Sequence, residues 1–140
     1  MTQENKELLL KDLCGRLSYG VKVLCLRDFN HEWYNLEMID IGDNEVYLTT
    51  NEPSYTNRYA EIETVKPYLF PMSSMTEEQK AELDKAIYED GKEAMNAIRN
   101  NDKMFHTPWR ATDWLNKNHF DYRGLIPMGL AIDATGLNIY

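Results

Sequence analysis

The sequence predicts an α+β protein: a small bent antiparallel sheet or SH3-like barrel, with an N-terminal helix and a helical C-terminal half. Three observations carry that expectation. Apolar residues recur at helical spacing before residue 18 and again after residue 76, and between them lie short β-branched and aromatic runs broken by turn formers. The chain has 140 residues, is 43% hydrophobic and is 27% charged, enough apolar matter for one packed core. A single domain is expected, with 1–72 as a helix plus barrel-like lobe and 73–140 as a helical lobe.

The first helix is expected from Glu4 to Leu17. Leu9, Leu10, Leu13, Cys14 and Leu17 make one stripe, Gly15 weakens the last turn, and Ser18-Tyr19-Gly20 stops it. Four strands follow in VKVLCL, WYNLEMIDI, EVYLTT and YAEIETV, joined by DFNHE, GDN and NEPSYTN. In the second run Leu36 and Met38 keep period two, then Ile39 and Ile41 continue on the opposite face. Such a slip predicts a bulge or sharp bend. Pro67 and Pro71 are expected to end the sheet, because proline cannot donate to a ladder.

Thr76-Glu77-Glu78-Gln79 is a capping box, with Glu77 and Glu78 at the positive end of the helix dipole. It predicts a helix over 77–100 with a stripe of Leu83, Ile87, Ala94 and Ile98 and a solvated outer face of Glu, Lys and Asp. Thr112 then caps a short helix beginning at Asp113. Asp121 caps a turn or two over 122–128, closed by Gly129. The run Leu130-Ala131-Ile132 adds an edge strand or tucks into the core.

Chemistry is scarce. Cys14 and Cys25 stand apart from any ligand cluster and are expected as reduced, half-buried thiols. His106, His119 and Asp121 lack further ligands at metal-binding spacing, and Ser73-Ser74 lacks a nucleophile context. His31, in a polar turn, is expected to be solvated. Neither a metal nor a cofactor is expected. The net charge of −8 disfavours duplex nucleic acid, and no apolar run spans a bilayer. The N-terminal residues lack signal-peptide features, so a cytoplasmic location is expected.

The stretch 105–123 holds five of the sixteen aromatics and is locally basic. Trp109, Arg110, Trp114, His119, Phe120, Tyr122 and Arg123 are therefore the candidate binding residues, for a protein partner or, alternatively, single-stranded nucleic acid. Trp33, Tyr34, Tyr47, Tyr55, Tyr59 and Tyr68 offer a second aromatic set, since SH3-like barrels bind peptides through such surfaces. Both sets have an equally physical use in packing.

Three stretches, KDLCGRLSYGVKV at 11–23, VKPYLFPMSSMTEEQ at 65–79 and DWLNKNHFDYRGLIPMGLAI at 113–132, resemble a group of small uncharacterised proteins of gut anaerobes and their phages or mobile elements. The resemblance implies a mobile-element accessory protein and assigns no activity or site. The absent catalytic motifs and the aromatic tail favour a non-enzymatic interaction module, with an enzyme that has no recognisable linear motif as a further alternative.

Overall fold

The computed structural model describes residues 1–28, 31–100 and 109–140. His106 and Phe105 therefore lie outside the described residues. Helix α1 (Gln3–Arg16) starts at Thr2, whose hydroxyl accepts from the Asn5 amide. Strands β1 (Lys22–Cys25), β2 (Tyr34–Asp40), β3 (Glu45–Thr49), β4 (Arg58–Glu61) and β5 (Val65–Leu69) follow. Helices α2 (Glu77–Arg99) and α3 (Arg110–Lys117) come next, and then the short strand β6 (Ile132–Asp133).

The sheet is open, in the order β4-β3-β2-β1-β5-β6. Its first five strands are antiparallel, with a 3₁₀ turn (Ile62–Thr64) between β4 and β5. β6 pairs parallel to β5, so the sheet is mixed and not purely antiparallel. Alternation dictates the core: Val23, Cys25, Tyr34, Leu36, Val46, Leu48 and Leu69 point inward and meet Leu9 and Leu13 of α1.

The bulge in β2 lies between Leu36 and Met38. It falls one residue earlier than the pattern suggests: Leu36 is buried, Met38 and Ile41 are exposed, and Ile39 packs against the core. Pro67 does not end the sheet. It sits inside β5 opposite Val23, and β6 pairs only from Tyr68 onward, so β6 asks no hydrogen bond of the proline.

The capping box forms as expected: Gln79 N donates to Thr76 Oγ1 at 3.1 Å, and Thr76 N donates to Gln79 Oε1 at 2.9 Å. α2 then runs through Gly91 unbroken. Its apolar stripe divides. Leu83 and Ala94 are half-buried and Ala97 is buried, whereas Ile87, Tyr88, Met95 and Ile98 are exposed.

α3 starts earlier than expected, at Arg110, and Thr112 does not cap it. Asp90 of α2 does so instead, accepting from the Arg110 amide at 3.1 Å and the Ala111 amide at 2.9 Å. A carboxylate at that end satisfies orphan donors and meets the positive pole of the helix. Asp121 holds the segment it was expected to cap, but further along than an N-cap reaches: its carboxylate accepts from Leu125 N and Ile126 N at 2.8 Å each, and turns, not a helix, occupy 122–128. Leu125, Leu130 and Ala131 reach the core, and the chain then enters β6, so the final run both tucks in and adds a strand.

A buried ion pair joins the two halves. Asp12 and Arg16 are both 0% exposed. Arg16 Nε and Nη2 donate to the Asp12 carboxylate at 2.8 and 3.0 Å, and Nη2 also donates to the Phe120 carbonyl at 2.7 Å. Arg123 Nε stands 3.3 Å from Asp12. Next to this pair α1 and α3 approach closely, since a Cβ on Gly15 would meet the Asn116 side-chain amide at 3.2 Å. Cys14 is exposed, a correction to its expected half-burial, while Cys25 is buried.

Asp12→Ala leaves a buried guanidinium without its carboxylate and is expected to destabilise the fold by about 3–5 kcal/mol. Asp90→Ala removes only a cap and is expected to lower stability by about 1 kcal/mol. Urea denaturation midpoints of the two variants check the ranking; equal losses would mean that the buried pair is not the stronger constraint.

Candidate functional site

The structure sends the seven candidate tail residues to different environments. Phe120 is buried at 2% exposure, and Trp114 stacks on it at 5.6 Å and 8°. The indole Nε1–H of Trp114 donates to Glu82 on α2 at 2.9 Å. Tyr122 is half-buried and donates to Asn116 Oδ1 at 3.0 Å, beneath the guanidinium of Arg123. Arg110 pairs with Asp90 and Glu93, and Arg123 with Asp12. Trp109 alone of the seven is an exposed large apolar side chain, at 58%. Most of the aromatic content therefore docks the helical half onto the sheet, and the arginines are occupied by carboxylates of the same chain.

His119 is the exception in kind. It follows α3, with His119 N donating to the Asn116 carbonyl and Phe120 N to the Leu115 carbonyl. That is the paired hydrogen-bond pattern of a left-handed helix end, and His119 accordingly has φ +60°. Its ring is 8% exposed and lies stacked under Tyr140 at 3.7 Å and 13°. Burial, and then the positive charges of Arg16 and Lys22, pull the imidazole down to about 4. It is neutral at physiological pH.

The second aromatic set converges on a residue expected in solvent. His31 is 7% exposed. Its ring packs 4.4 Å from Tyr34, 4.3 Å from Tyr55 and 6.4 Å from Trp33, and Nε2 lies 3.0 Å from Thr50 Oγ1. The polar neighbours of His31 in sequence conceal this, because the covering ring of Tyr55 comes from the β3–β4 connection. Tyr34 and Tyr68 brace the segment. The Tyr34 hydroxyl donates to Asp28 at 2.6 Å, and burial with that carboxylate pushes its pKa up to about 12. The Tyr68 hydroxyl donates to the Glu32 carbonyl at 2.6 Å. Tyr47 and Tyr59 form a separate cross-strand pair at 4.9 Å.

The result is a groove in two parts. One recess of about 230 Å³ is lined by His31, Glu32, Trp33, Glu52 and Tyr55. The adjoining one, about 440 Å³, shares His31, Glu32 and Trp33 and continues over Leu24, Tyr68 and Leu137. Among the described residues no lysine or arginine forms an ion pair with Glu32 or Glu52. Lys22 Nζ lies 3.5 Å from the Trp33 ring centroid, so a face of that indole already holds an ammonium. The arrangement is an aromatic recess with negative walls that continues into an apolar trough.

Among the described residues no group of three His, Cys, Asp or Glu side chains is placed to hold a metal, and no helix is long and apolar enough to cross a membrane. The chain matches no family model, no curated protein and no solved structure.

The depressed His119 pKa has a signed consequence for stability. An unfolded-chain histidine takes up its proton near pH 6.5, whereas folded His119 refuses it until about 4. Stability is thus fully present above about 6.5 and falls as pH drops toward 4. His119→Asn keeps a residue tolerant of positive φ but cannot titrate. Urea midpoints between pH 7 and 4 are expected to fall more steeply for the native chain than for the variant; parallel curves would contradict the assignment.

Proposed function

We propose that the protein is a recognition module and that its groove receives a basic segment of a protein partner, one cationic side chain entering the His31–Trp33–Tyr55 recess. The carrying observation is the pair of carboxylates, Glu32 and Glu52, beside aromatic faces in a concave site with no lysine or arginine of the described chain paired to them. An ammonium or guanidinium gains from both kinds of wall: ring quadrupoles attract it, and the two exposed carboxylates pair with its charge. The adjoining trough of Leu24, Tyr68 and Leu137 suits an apolar neighbour in the same peptide. The chain's net charge of −8 favours encounter with a basic partner. Such a module is consistent with an accessory protein of a mobile element.

The single-stranded nucleic-acid reading has less support. Arg110 and Arg123 are taken up by Asp90, Glu93 and Asp12, and only Lys117 remains exposed among the three basic residues in 109–123.

Titration of the protein with N-acetyl-lysine methylamide, its arginine counterpart and its glutamate counterpart, followed by the Trp33 indole and Tyr55 ring signals, tests the assignment. Saturable shifts with one or both cations, absent with glutamate and weakened about tenfold by Glu32→Gln/Glu52→Gln, are expected. An equal response to the glutamate probe, or none to either cation, would remove the groove as a cation site.

A further inference from the structure

We propose that the cleft beside the C-terminal end of α3 is a second binding site, for a small organic anion whose carboxylate or phosphate faces Lys117 and whose flat body lies against the His119–Phe120–Tyr140 wall. The cleft measures about 550 Å³, within the usual span of small-molecule sites. It meets the groove only at Gly136.

The first support is electrostatic. Among the described side chains that line the cleft none is an Asp or Glu, and Lys117 is the one formally charged side chain. On a chain of net charge −8 such a surface is unusual. The positive charges of Arg16 and Lys22 also reach its histidine.

The second support is the conformation of His119. Glycine adopts positive φ without strain, and the chain uses it so at Gly20 and Gly129. At the end of α3 it carries a histidine instead, held at φ +60°. The ring is more than nine-tenths buried, and its Nδ1 is enclosed with no hydrogen-bond partner. Positive φ and an unmatched polar atom both oppose folding, and the stack on Tyr140 is what holds the ring there, at the edge of the cleft.

The third support is rigidity. The Tyr140 hydroxyl donates to the Tyr68 carbonyl at 2.7 Å and accepts from the Lys22 amide at 3.0 Å. This fixes the stacked His119–Tyr140 pair, and Phe70 packs 5.9 Å from Tyr140 and 6.2 Å from Phe120. A flat ligand therefore meets a preformed aromatic wall and orders little on binding.

The test uses the full chain with isotope-labelled histidine and tyrosine, titrated with phenyl phosphate, benzoate and, as the opposite charge, benzylamine. Saturable shifts of His119 and Tyr140 with one or both anions and not with benzylamine are expected, and the tighter anion distinguishes phosphate from carboxylate. Lys117→Gln, a change at an exposed position, is expected to weaken binding about tenfold. Absence of a saturable shift with either anion, an equal response to benzylamine, or full affinity in Lys117→Gln would overturn the proposal.

Discussion

The architecture turns on the burial of Asp12 and Arg16. Two charges removed from water are tolerated only when their hydrogen-bonding capacity is largely met, and α1 alone cannot meet it. The third partner is the Phe120 carbonyl, 104 residues further along the chain. Every element that positions that carbonyl is therefore coupled to the first helix: the end of α3, the left-handed turn at His119, and the clasp in which Phe70 N donates to the His119 carbonyl and Asp121 N to the Phe70 carbonyl. Loop closure over such a distance carries an entropic penalty.

The secondary structure was legible where its cause is local. The capping box at Thr76, the phase slip in β2 and the Asp121 turn each rest on a few adjacent residues, and each appears within a residue or two of its expected place. What lay hidden depends on residues remote in sequence. Asp12 and Arg16 stand at i,i+4 on α1, and nothing nearby in sequence announces the Phe120 carbonyl. Asp90 reads as part of a solvated helix face, yet it caps another helix. Pro67 is admissible in β5 because of where β6 begins, a fact of tertiary pairing.

The candidate sites divide along the same line. Aromatic and basic residues clustered in 109–123 were visible, but burial decides their use, and burial is set by the whole fold. Trp114 and Phe120 stack against each other between α2 and β5, and the arginines meet carboxylates contributed by α1 and α2. His31 shows the reverse: polar neighbours make it look solvated, whereas Trp33, Tyr34 and Tyr55 enclose it from two loops and a strand. The groove thus draws on residues between 24 and 139 and has no linear signature.

The cap that α3 takes from Asp90 also bears on autonomy. A helix of eight residues is well below the length at which isolated helices persist in water. Its first turn relies on a carboxylate of α2, and its last turn ends in a strained histidine. Residues 110–117 thus have little reason to be helical unless α2 is docked beside them. Loss of helicity there would report undocking of the neighbour, which makes α3 an intrinsic sensor of whether the two helices are together.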